Sequence, residues 1–149
     1  MTDLRWRVKF DLLFAGSTFA LLVKNRGKME TDLLHRELES QLRNLLSDRD
    51  FEPYSDRTGS KDARWWRDVS SAAENWQDNN WIEKSSESGH RWWSITSLGE
   101  EALAFNRSLF EDVGYLVKHQ SGWCLSNKGE DWWQDERKRH KKSAMPLPR

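Results

Sequence analysis

One pattern occurs twice in this chain, and it restricts what the chain can fold into. Residues 91–103 read RWWSITSLGEEAL and residues 122–133 read GWCLSNKGEDWW. With Trp93 set on Trp123, Ser94 falls on Cys124, Ile95 on Leu125, Thr96 on Ser126, Gly99 on Gly129 and Glu100 on Glu130. Each copy follows an apolar stretch and a polar turn: NWIEKSSESG before the first, GYLVKHQSG before the second. An apolar strand, a turn, a second strand, a hydroxyl residue and then Gly-Glu is a way to leave a β-hairpin and enter a helix. The hydroxyl caps the helix, the glycine lets the backbone turn tightly into it, and the glutamate suits the positive end of the helix dipole. The repeat therefore predicts two hairpin-then-helix units, and it is a packing and capping device, not a catalytic motif.

Further elements follow from periodicity. Trp6, Val8, Phe10 and Leu12 alternate with charged residues like a strand, but Leu13, Phe14, Phe19, Leu21 and Leu22 continue without alternation. A helix from about Lys9 to Lys24, stopped at Gly27, is the preferred reading, with strand left open over residues 4–24. Leucines at 33, 34, 38, 42, 45 and 46 mark an amphipathic helix capped by Thr31 and reaching about Leu46. Asp62 is placed to cap a helix to about Asn79 with Trp66, Val69, Ala73 and Trp76 as its apolar stripe. A hairpin, a helix to near Gly114, a second hairpin and a last helix from Ser126 or Asn127 complete the order. The expected fold is α+β: a winged helix-turn-helix with a second short hairpin-plus-helix repeat. A single domain spans 1–136, with its core at 28–112 and the second hairpin and helix at 114–136. A basic tail, 137–149, follows and should leave helical structure.

The segment Lys61–Leu103 resembles the N-terminal winged-helix domain of Mrr-type restriction endonucleases. The residues that carry the resemblance are Arg64, Trp66, Asn80, Ile82, Glu83, Gly89, Trp93, Ile95, Thr96, Gly99 and Leu103. The resemblance implies a winged-helix fold and a setting in nucleic-acid-related defence or restriction. The family's nuclease domain has no counterpart in 149 residues. The one acid-and-lysine echo, DWWQDERK, sits on an expected helix instead of a strand pair.

Charge adds a partner expectation. The chain is neutral, but residues 137–149 hold six Lys or Arg and no acid, leaving 18 basic against 24 acidic side chains elsewhere, a net of −6. A basic tail suits a polyanion. On a winged helix, Arg57, Lys61, Arg64 and Arg67 would crowd the start of the recognition helix. Lys84, His90 and Arg91 would lie in the wing, and Arg137, Lys138 and Arg139 in the tail. All ten are candidate contacts to double-stranded DNA. The tryptophan pairs 65–66, 92–93 and 132–133 cannot place both rings in one core, so one ring of each should be partly exposed. Trp65, Trp92 and Trp132 are the candidates for a protein contact, unless packing between the hairpins hides both rings.

Chemistry of other kinds lacks the residues for it. The histidines 35, 90, 119 and 140 show no metal-ligand spacing, and the single Cys124 forms no disulfide framework and reads as a small buried hydrophobe. No catalytic residue, metal or cofactor is expected. MTDLRWRVKF does not read as a secretory signal, and no apolar run reaches membrane-span length, so a cytoplasmic protein is expected. The leading expectation is a non-catalytic nucleic-acid-binding protein, a regulator or accessory subunit of a phage-defence or restriction-like system. The alternative is an adaptor that docks a larger enzyme or ATPase through its winged helix and tryptophan-rich surface. A homodimer is left open.

Overall fold

The structure, a computed structural model, describes residues 10–53, 62–116 and 125–142; for residues 10–12 and 136–142 it describes the backbone alone. The order is α1 (Phe10–Lys24), β1 (Lys28–Glu30), α2 (Thr31–Leu42), α3 (Arg64–Asp78), β2 (Ile82–Glu87), β3 (His90–Ile95), α4 (Ser97–Asp112) and α5 (Asn127–Lys142). The three strands form one antiparallel sheet in the order β1-β3-β2. The fold is α+β, with five α-helices among the described residues.

α1 is the centre of the molecule. Leu13, Phe14, Ala15, Ser17, Thr18, Phe19, Leu21 and Leu22 are all buried, so the helix is covered on every side. A helix buried all round has no polar stripe, which is why the segment reads ambiguously in sequence. It stops where Arg26 and Gly27 take positive φ (66° and 94°) and the Gly27 N–H donates to the Leu22 carbonyl at 2.7 Å. The chain then enters β1, three residues too short to carry a strand period. Sequence reasoning missed it.

Two helix starts differ from expectation. Thr31 is the first helical residue of α2, not its cap; Glu30 occupies the cap position without a side-chain bond. α2 ends at Leu42, and Leu45 and Leu46 pack on the core from the turn that follows. α3 begins at Arg64 behind Ala63, so Asp62 is not its cap. A backbone contact serves instead: the Arg64 N–H donates to the Glu52 carbonyl at 2.9 Å. That carbonyl is presented by a 3-10 turn, Asp48–Phe51, held by a Ser47–Asp50 capping box.

Both copies of the repeated pattern make the same junction. At the first, Asn80 takes φ +62° and the Trp81 N–H donates to the Trp76 carbonyl at 2.9 Å. At the second, Gly114 takes φ +84° and the Tyr115 N–H donates to the Phe110 carbonyl at 2.9 Å. The returning strands close on these residues. Thr96 N–H meets the Trp81 carbonyl and Ser126 N–H meets the Tyr115 carbonyl, each at 3.0 Å. Each hydroxyl then accepts from the glycine N–H three residues on, Gly99 or Gly129, again at 3.0 Å. A Cβ on either glycine would stand 2.1 Å from the carbonyl oxygen of Trp81 or Tyr115. Neither residue has positive φ, so glycine is required there for close approach and not for the tight backbone turn expected of it.

Only the foot of the second hairpin is described, an antiparallel bridge between Leu116 and Leu125. The expected turn HQSG and the Trp123 and Cys124 members of the repeat lie outside the described residues. α5 runs past Glu136 to Lys142, so the expected end of helical structure at the basic segment is corrected. Arg and Lys are good helix formers, and cations at a helix C-terminus meet the favourable end of the dipole. No helix among the described residues is long and apolar enough to cross a membrane.

Candidate interaction groove

α3 packs between α1 and the hairpin, with Trp65, Val69, Ala73 and Trp76 buried. The apolar stripe thus runs through Trp65, not Trp66. Trp65 is 1% exposed, which removes it as a partner contact. Trp66 takes the half-exposed place and stacks on Trp93 of β3, ring centroids 5.8 Å apart and planes 11° apart. The other pairs divide likewise: Trp93 and Trp133 are buried, Trp92 and Trp132 half-buried.

The Trp66–Trp93 stack lies in a groove of about 1090 Å³, open to solvent. Its other walls are the first turn of α2 (Thr31, Asp32, His35, Arg36), the outer face of α3 (Ser70, Glu74) and the hairpin (Lys84, Ser85, Ser86, Arg91, Trp92). β1 makes this meeting possible. By pairing with β3 it carries the start of α2 to the side of the hairpin, with Glu30 opposite Trp92. His35 sits against both α3 tryptophans, 4.9 Å from Trp65 and 4.7 Å from Trp66 between centroids.

Carboxylates lie beside Lys84, His90 and Lys28 in and next to the groove, which Arg36 and Arg91 also line. Lys84 Nζ is 3.5 Å from Glu74 Oε1 and 5.5 Å from the centre of the Trp93 ring. His90 Nδ1 is 3.2 Å from Glu30 Oε2. On the outer face of the sheet Lys28 bridges Glu87 at 3.4 Å and covers the Trp92 ring at 5.0 Å. Arg64 and Arg67 are half-buried at the start of α3, each with a partner, and neither lines the groove.

Of the expected site residues, Lys84, His90, Arg91 and Trp92 come together here. Trp132 is on α5, stacked on Tyr115 at 5.1 Å, and does not line the groove. Arg57 and Lys61 lie outside the described residues, and Arg137, Lys138 and Arg139 are described in backbone only, on the last turns of α5. Sequence reasoning missed Trp66, His35, Arg36 and Ser70. The α2 residues could be found only by knowing that β1 joins the sheet. Among the described residues no three His, Cys, Asp or Glu converge as a metal centre. No family model, no curated protein and no solved structure matches this chain.

Proposed function

We propose that the chain is a winged-helix binding module, non-catalytic, that acts as a protein adaptor and receives its partner in the groove between α2, α3 and the β2–β3 wing. The order helix, strand, helix, helix, strand, strand with the sheet β1-β3-β2 supports the winged-helix assignment. One observation carries the adaptor reading over DNA binding. The groove is lined by four carboxylates (Glu30, Asp32, Asp62 and Glu74) against three cations (Arg36, Lys84 and Arg91), around a floor of stacked tryptophan. A phosphate backbone needs a surplus of cations, whereas an aromatic floor with mixed charges at its rim is the make-up of a protein interface. α3, the helix in the recognition position, carries Arg64 and Arg67 but also Asp68, Glu74 and Asp78.

A second reading, double-stranded DNA, is supported by the helical course of the basic segment to Lys142. Salt separates the two. For the adaptor, a partner held by the full chain persists through nuclease treatment and moderate salt, and is lost in Arg91→Glu, an exposed substitution at the groove rim. The adaptor is overturned if the full chain binds labelled duplex DNA with an affinity that falls steeply with salt and drops again in the Arg64→Ala/Arg67→Ala double variant.

A further inference from the structure

The sheet has two edges of unequal kind. β1 is three residues long and runs directly into α2. β2 is six residues long and pairs on one side only, with β3. The direction of its backbone groups follows from the register. Ile95 N–H donates to the Gly27 carbonyl at 2.8 Å, so Ile95, and with it Trp93 and Arg91, turn their polar groups toward β1. Ser94, Trp92 and His90 turn toward β2 and meet Glu83, Ser85 and Glu87. Ile82, Lys84 and Ser86 therefore direct their N–H and C=O groups away from the sheet. Among the described residues nothing bonds to them.

Edge strands in folded proteins are guarded by short length, proline, bulges, charges or a covering element. β2 has no proline, and its second half opens with Ser85-Ser86. Lys84 is the one charged residue among the three outward positions, and its ammonium is drawn across to Glu74 on α3. Ser85 and Ser86 also line the groove, so the open edge and the tryptophan floor are continuous.

We propose that the partner enters the groove as an extended polypeptide segment and adds as a fourth strand to β2, pairing with the backbone of Lys84 and Ser86. This rests on the adaptor reading above and gives it a mode. A strand is the ligand whose own alternating N–H and C=O groups match such an edge. Main-chain bonds would supply affinity, and every second side chain would point over the Trp66–Trp93 floor to supply selectivity. The occupant is thus a peptide segment able to extend, with an apolar or aromatic side chain at alternate positions.

The test uses the full chain and a displayed library of random peptides as probe. Ser86→Pro removes an outward N–H and leaves the β3 pairing intact, so the fold should survive; Ser86→Ala is the control, and circular dichroism checks both. Selected peptides should bind wild type and Ser86→Ala alike and lose about ten-fold or more on Ser86→Pro. In the wild-type complex the Lys84 and Ser86 amides should become protected from hydrogen exchange. Peptides weakened by Arg91→Glu but indifferent to Ser86→Pro, with no such protection, overturn strand addition while leaving the groove as the docking site. Peptides indifferent to both substitutions overturn the groove as well. An empty selection overturns strand addition.

Discussion

The two hairpin-to-helix junctions share their bonds but not their surroundings. In the first, the aromatic pair at the helix end, Trp76 and Trp81, is covered by Phe19 of α1, at 5.3 and 6.4 Å between centroids. In the second, the corresponding pair is Phe110 and Tyr115, and Trp132 of the following helix stands over it at 6.4 and 5.1 Å. The position matching Trp132 in the first unit is Ala102, fully buried, which leaves room for α1. Where a distant helix provides the cover, the exit helix carries alanine; where none does, it carries tryptophan. Local hydrogen bonds define the junction, and whatever apolar surface is within reach completes it. The first unit faces the groove. The second acts as a brace: Trp133 is fully buried, its ring 5.9 Å from Phe14, and its Nε1–H donates to the Leu45 carbonyl at 3.2 Å.

Removing the brace is the hardest test of this contrast. Trp133→Ala should cost about 3–5 kcal/mol, the range for deleting a large buried ring, and should leave the Leu45 carbonyl without its indole donor. Urea unfolding followed by circular dichroism checks it. A loss below about 1 kcal/mol would mean that α5 is not part of the cooperative unit and that the second copy is an appendage.

The glycines come next. Gly99→Ala and Gly129→Ala each drive a methyl group into a backbone carbonyl, which cannot swing away as a side chain can. Each should cost about 2–3 kcal/mol. Gly99 should be the worse of the two, because its Cβ would also stand 2.7 Å from Ile95 Cγ1, against 3.1 Å between Gly129 and Leu125 Cδ2. A neutral Gly129→Ala in the same unfolding series would break the equivalence of the junctions.

The hydroxyl caps should rank below the glycines. Thr96→Ala and Ser126→Ala each remove one capping acceptor and one donor, the latter to the carbonyl of Asn80 or Gly114 at 2.5 Å. About 1–2 kcal/mol is expected for each. The exchanges Thr96→Ser and Ser126→Thr should be nearly silent, since either hydroxyl makes the same bonds. A large loss on exchange, read from thermal midpoints, would show that the methyl group of Thr96 matters to packing and that the two sites are not interchangeable.

What sequence could and could not show divides along the same line. The junctions were legible because every bond in them lies between residues a few positions apart or across one short hairpin. α4 started where Thr96 and Ser97 placed it, and α5 at Asn127. The order of α3, β2, β3 and α4 followed from the same spacing. Long-range packing was not legible. Nothing within KME marks it as a strand, because β1 exists only by pairing with β3. The exchange of Trp66 for Trp65 in the core had the same origin. Either ring suits a helical stripe, and the choice was made by what lies opposite: α1 and the core on one side, Trp93 on the other. The groove was half legible for the same reason, its hairpin wall foreseen and its α2 wall not.

The smallest effects should lie at the helix ends that lead into the junctions, and they separate two ways of closing a helix. At the end of α3, Asn79 closes the last turn with its own side chain, Nδ2 donating to the Asn75 carbonyl at 2.8 Å. The corresponding residue of α4 is Val113, which has no donor in its side chain. Its carbonyl is taken instead by Lys128 Nζ from α5 at 2.9 Å, with the ammonium 5.5 Å from the centre of the Tyr115 ring. One end is closed by a neutral local bond, the other by a cation placed at the negative pole of the helix and over an aromatic face. Asn79→Ala and Lys128→Ala should each cost only about 0.5–1 kcal/mol, since both groups are exposed. Salt should tell them apart. The Lys128 contribution is electrostatic and should shrink at about 1 M salt, where the Debye length falls to about 3 Å. The Asn79 contribution should stay. Urea midpoints for wild type and both variants at low and high salt give the comparison directly. Equal salt dependence of the two losses would mean that Lys128 acts through its alkyl chain against Tyr115, and that the two helix ends are closed by packing after all.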